Sequence, residues 1–183
     1  MDAFISNLKQ HLLLQLFTIF LRYALGASFV FASILKIEGV RFSPEPGKNT
    51  SIDSLAHFFE ALYQSSLYWN FIGWGQLIAG FLMMSQIFST LGAVAFFPII
   101  LNIFVITISF QSSSVLLITF LMLLCNLYLL IWDCNKLKFI ALPNPGIFIN
   151  DEPEFSKRMI WAYLGLVLFV AIIFIRKGVL NKY

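Results

Sequence analysis

Arg22, Gln76, Asn102 and Asn126 are polar side chains set well inside long apolar runs of this sequence. An ionisable group at the centre of a bilayer costs about 2.5–3.5 kcal/mol on insertion scales, so its presence needs a physical reason. Arg22 is a permanent cation, and no acidic residue lies within any of the apolar runs. Its charge must then be met by neutral carbonyl oxygens or by an anionic or electron-rich ligand, such as a lipid headgroup or a quinone carbonyl. Counted along helices at about 1.5 Å per residue, Arg22, Gln76 and Asn102 fall at roughly 15–18 Å from one face of the membrane, and Asn126 at roughly 10 Å. The expectation is one intramembrane polar cluster in which the three amides present carbonyls to the guanidinium. The plain alternative is that the amides are interhelical glue, their commoner use in membrane helices.

Helical spacing places these residues on coherent faces. Gln15, Arg22, Phe29 and Lys36 recur every seven residues, with Gly26 and Ser33 between them. Gly73, Gln76, Gly80 and Met83 form a second face, and Thr119, Met122, Asn126, Leu129 and Asp133 a third. Pro98, one turn before Asn102, is placed to kink its helix and free a carbonyl. Lys36 reads as a cation snorkelling to the interface. Arg41 lies in the following loop, either solvated or closing with Phe42 over the mouth of the bundle.

Other chemistry finds little support. His11 and His57 are far apart and nothing else has metal-ligand spacing, so no metal site is assigned. Cys125 and Cys134 do not form a CxxC pair; inert thiols are the plain reading and a redox pair the sharper one. No nucleophile–base pair, P-loop or GxGxxG motif is present.

The elements that must position these residues follow from composition. Of 183 residues, 60% are hydrophobic and 11% charged, against about 25% charged in a soluble domain. Too little polar surface remains to face water, so lipid must be the main solvent. The net charge of +3 is scattered, with no basic run that would suggest a nucleic-acid partner. Five apolar runs are about the length that a roughly 30 Å hydrocarbon core requires: residues 12–35, 69–87, 90–110, 115–132 and 159–175. The expected fold is all-α, an integral membrane helical bundle with a four-helix core plus a fifth C-terminal transmembrane helix, in one domain. Very short links between runs two, three and four require antiparallel neighbours. The first run contains Arg22 and lacks a small-residue cleavage site, so it reads as a retained helix and not a signal peptide.

Two segments leave the bilayer, 37–68 and 133–158. The first holds Pro44 and Pro46 and then a short amphipathic surface helix over 50–62, with Thr50 and Asp53 at capping-box-like spacing. The second carries Pro143, Asn144, Pro145 and Gly146, a turn signal suited to a hairpin or re-entrant flap, and then Asp151, Glu152, Glu154, Lys157 and Arg158 at the headgroups. Lysines and arginines divide almost evenly between the two sides, so the positive-inside rule gives no clear orientation.

Arg22, Leu25, Gly26, Phe29, Ser33 and Lys36 resemble the first-helix signature of the DoxX family: Arg, then Leu-Gly, then Phe, a small residue and Lys. The second-helix pattern of that family, an acid followed four positions later by Gly, is similar to Gln76 and Gly80. The resemblance covers roughly residues 17–132. It implies a four-helix membrane protein, mostly found in bacterial inner membranes, to which 159–175 is an added helix. Family members include subunits of thiosulfate:quinone oxidoreductases and of membrane complexes with soluble redox partners, and distant animal relatives are receptor-assembly chaperones. Gln76 departs from the pattern and removes the carboxylate that proton transfer or an Arg–Glu pair would use. The function implied is a noncatalytic accessory or structural subunit of a membrane complex, surrounded by membrane lipids and other membrane or redox subunits. Quinone or phospholipid is the ligand expected near Arg22, with no covalently bound cofactor. Stand-alone lipid or small-molecule binding, transport, and assembly chaperoning are the alternatives. On this reading Arg22→Leu releases a ligand or partner without unfolding the bundle.

Overall fold

In hydrocarbon each backbone N–H must find a carbonyl within its own segment, so long apolar runs fold as helices. A computed structural model describes residues 9–41, 47–111, 113–141 and 159–180. Five long helices are α1 (Leu12–Ile37), α3 (Leu67–Met84), α4 (Ser89–Ser109), α5 (Ser113–Trp132) and α7 (Met159–Leu180). Two shorter ones are α2 (Leu55–Gln64) and α6 (Cys134–Ala141). Helices α1, α4, α5 and α7 are long and apolar enough to cross a membrane. Helix α3 carries Asn70, Gln76 and two tryptophans and is less apolar. It nonetheless has 18 residues, about 27 Å at 1.5 Å per residue, and packs along α1 and α4.

The expected helical bundle is therefore present, with element ends shifted. Helix α1 runs two residues past the apolar run, and α3 begins at Leu67 and stops at Met84. The α3–α4 turn is Ser85–Phe88, where Gln86 adopts a left-handed φ of 60°. The surface helix starts at Leu55, because the Ser54 side chain, not Thr50, accepts from the His57 N–H and caps it. The expected hairpin around Pro143–Gly146 and the charged residues 151–158 lie outside the described residues.

The three faces read from spacing are the inward faces. Gln15, Arg22, Gly26, Phe29, Ser33 and Lys36 are buried, as are Gly73, Gln76, Gly80 and Met83. So are Thr119, Asn126, Leu129 and Asp133. A close crossing joins α1 to α3 at Gly26 and Gly80. A Cβ on Gly80 would stand 2.7 Å from the Gly26 carbonyl oxygen, and one on Gly26 2.9 Å from that of Gly80. Only glycine allows both backbones this close. Beside it Phe29 of α1 stacks on Phe96 of α4 at 3.6 Å between ring centroids, among Leu25, Ala79, Met83 and Ile100. Helix α7 lies against α1 and α3, packing Leu168, Phe169 and Ile172 on Val30, Ile34 and Met84. Tyr23 of α1 donates its hydroxyl to the Trp161 carbonyl at 2.6 Å.

Candidate functional site: a buried ion pair at one end of the bundle

The guanidinium of Arg22 is buried, but its partners are not the three amides. Nη2 donates to both carboxylate oxygens of Asp133, at 3.0 and 3.2 Å, and Nη1 donates to the Gln86 side-chain oxygen at 3.2 Å. Both members of the ion pair are nearly inaccessible, with 4% and 3% of their side-chain surface exposed. Thr90, in the first turn of α4, donates its hydroxyl to the second Asp133 oxygen at 3.0 Å. One side chain on α1 thus ties together the end of α5, the α3–α4 turn and, through Asp133, the start of α4.

The local structure explains how Arg22 reaches this level. Side chains on a helix tilt toward its N-terminus, so a long arginine in mid-helix delivers its charge roughly a turn nearer the N-terminal face than its Cα. At that face the chain has just left α5 and turns through Ser85–Phe88. Gln86 holds a left-handed backbone at a position where glycine would relieve the strain. Glycine there would remove the acceptor for Arg22. Next to the pair, the Thr18 and Tyr128 hydroxyls lie 3.0 Å apart, and Gln15 donates to the Lys9 carbonyl at 2.8 Å.

The cluster of Arg22 with Gln76, Asn102 and Asn126 expected from depth does not form. Asn126 is fully buried and donates to the Ala93 carbonyl on α4 at 3.2 Å, as interhelical glue. Among the described residues, its side-chain oxygen and that of Gln76 accept no hydrogen bond. Gln76 is buried between Gly73 and Gly80 on α3. Asn102 is exposed on the outer surface of α4 and takes no part in the Arg22 network. Depth alone brought these residues together in the sequence reading, and three of the four do point inward. Their azimuths differ, however, and the acidic partner stands one residue beyond an apolar run. The seven-residue spacing from Asn126 to Asp133 on one helix face was the signal for it.

Lys36 and Arg41 are also reassigned. Lys36 does not snorkel into open water: it is buried, donates to the Ala32 carbonyl at 3.2 Å and sits 5.0 Å over the Trp69 ring. Arg41 is paired with Glu60 of α2 at 3.0 Å and lies over the Tyr63 ring at 4.8 Å. Glu60 also accepts from the Gly47 N–H and from Gln64. The hydrogen bond from Arg41 holds the Glu60 carboxyl below the usual carboxylate range against the opposing effect of burial, and the same bond raises Arg41. This pair latches the surface segment over the end of the bundle opposite the Arg22 network. Tyr63 meets Trp69 edge-on, and Phe58 meets Phe110 beyond α4. Cys125 and Cys134 are both free.

Architecture and site together define a polytopic helical membrane protein closed internally by a buried ion pair. No protein-family model matches the chain, and no solved structure matches it. Over 95 residues the chain is 37% identical to the uncharacterized protein YwoB of Bacillus subtilis (strain 168), a match covering 52% of this chain and 56% of that protein. The chain thus spans about half the length of this curated relative.

Proposed function

We propose that this chain is a DoxX-like, noncatalytic accessory or structural subunit of a membrane complex in a bacterial cytoplasmic membrane, a quinone-linked redox complex being the assembly to which that resemblance points. The observation that carries this reading is the closed charge balance around Arg22. Its cation is answered by Asp133 inside the fold, at 3.0 Å and with both groups buried. Such a group acts as a tie between helices rather than as a charge awaiting a substrate. The amide of Gln76, where the family pattern has an acid, agrees with a role that moves no proton. Native mass spectrometry of the protein extracted gently from its own membrane is the test. Stoichiometric association with other membrane or redox subunits is the expected result, and a chain carrying only ordinary lipids overturns it.

A second reading is favoured by a specific feature. The Arg22 Nε and Gln86 Nε2 donors are buried and have no partner among the described residues. Two donors without acceptors in a low-dielectric site are costly. A quinone carbonyl or a phospholipid ester oxygen would satisfy them, as would a water molecule. In that case the protein binds a small molecule on its own account. A co-purifying quinone or defined lipid that is lost on Gln86→Leu supports this reading, and unchanged retention removes it.

A further inference from the structure

Asn102 stands apart from the inward-facing polar residues. It lies 13 residues into the 21-residue α4, roughly 10 Å from the nearer helix end, and so within the hydrocarbon. It is exposed. Among the described residues its amide makes no hydrogen bond, whereas Ser109 further along the same helix returns its hydroxyl to the Val105 carbonyl at 2.9 Å. A primary amide facing lipid has two N–H donors and a carbonyl with nothing to pair with, and lipid tails supply none.

Its surroundings are open. Val94, Pro98, Asn102, Val105 and Ser109 recur at spacings of three and four along α4 and are all exposed. Pro98 has no N–H, so the Val94 carbonyl on this stripe lacks its usual intrahelical donor. Helix α7 packs on α1 and α3 and leaves this side of the bundle uncovered.

We propose that this face of α4 is a homodimer interface, with Asn102 of one copy paired to Asn102 of a second. The choice of partner rests on complementarity. An amide donates and accepts, so across a two-fold axis each Nδ2–H can bond the other copy's Oδ1 and both groups are answered. Copies inserted in the same orientation carry Asn102 at the same depth, so the match needs no second polar residue on an unrelated protein. The stripe bears no charge that would call for an opposite charge on a partner. Pro98 and Val105 flank the amide one turn to either side, and the exposed Leu91 and Leu101 beside them add apolar surface for packing against the second copy. The reading is independent of whether the chain also joins a larger complex.

The test is self-association of the full chain in phosphatidylcholine vesicles, measured by energy transfer between labelled copies over a dilution series. Asn102→Leu is expected to weaken the dimer about tenfold, and Asn102→Gln to keep it within a few-fold. Because leucine is the more lipid-compatible residue, the Asn102→Leu chain should melt no lower than the wild type, so lost association is not lost folding. As a second readout, Asn102→Cys in a chain with Cys125→Ala and Cys134→Ala should cross-link between copies on mild oxidation. A wild-type chain that stays monomeric at all dilutions overturns the proposal, even if the protein joins other subunits in its native membrane. So does a dimer that is indifferent to Asn102→Leu.

Discussion

At Arg22, removing a charge and removing a charge pair are different experiments. Burying two ions costs desolvation energy that their attraction roughly repays, whereas deleting one partner leaves the other uncompensated in a low dielectric. Arg22→Leu strands the Asp133 carboxylate, and Asp133→Leu strands the guanidinium. Each single change is expected to cost about 3–5 kcal/mol, and the double Arg22→Leu, Asp133→Leu chain less than either. Denaturation in a mild detergent micelle, run as a double-mutant cycle, reads this directly. Additive losses would mean that the pair is not a tie. From sequence alone Arg22→Leu leaves a folded bundle that merely loses a ligand, because no acid lies inside an apolar run; the buried partner Asp133 reverses that expectation. The presence of Arg22 at membrane depth was legible, since nothing else in the first run is charged before Lys36. Its partner was hidden by a boundary drawn from hydropathy, which takes no account of how far an arginine reaches down its own helix.

The faces and order of the helices were legible because a 3.6-residue period forces inward residues to recur, and Gly26, Gly73 and Gly80 fell on those faces without showing which helices would cross there. What escaped was the contact of irregular chain with helix ends. Arg41 looked like a solvated loop residue, yet Glu60, nineteen positions later, comes back to it because α2 folds over the end of the bundle. Hydropathy assigns Glu60 to the wet side of an amphipathic helix and does not show that Arg41, Gly47 and Gln64 converge on it. This latch has a defined pH dependence. With its folded pKa depressed, Glu60 contributes stability that is fully present above its unfolded value of about 4.3. That contribution fades as the pH falls through the lower folded value. Arg41, raised from an already high value, keeps its charge throughout this window. Amide exchange in α2 should therefore be slower in the wild type than in Glu60→Gln at neutral pH, with the two rates converging in acid. Comparison at matched pH cancels the intrinsic chemistry of exchange. A rate ratio that stays constant from pH 7 to 3 would show that the ion pair does not hold the segment down.

For the molecule as a whole, α7 is attached differently from the other long helices. Within its spanning window 6% of residues are buried, against 61% for α1. Its grip on the core includes an apolar contact with Val30, Ile34 and Met84, the close approach of Gly165 to α3, the Phe169 ring edge-on to Phe81, the Arg176 guanidinium over the Phe31 ring, and the Tyr23 hydrogen bond to the Trp161 carbonyl. In water, stripping a helix from such a surface would expose apolar area at a large cost. In a bilayer the exposed surface meets lipid tails, which are as apolar as the helix that left, so the loss is mainly one of packing and a few polar contacts. Among the described residues, the Arg22, Asp133, Gln86 and Thr90 network makes no hydrogen bond to α7. Deleting residues 159–183 should consequently leave the remaining helices inserted and paired, with a melting temperature lower by roughly 2–8 °C. The Arg22–Asp133 coupling energy should be unchanged in the shortened chain. Protease protection in proteoliposomes reports insertion, and the same mutant cycle repeated on the shortened chain reports the pair. A shortened chain that fails to insert, or in which the coupling vanishes, would make α7 an integral wall of the bundle instead of an attachment to its lipid-facing side.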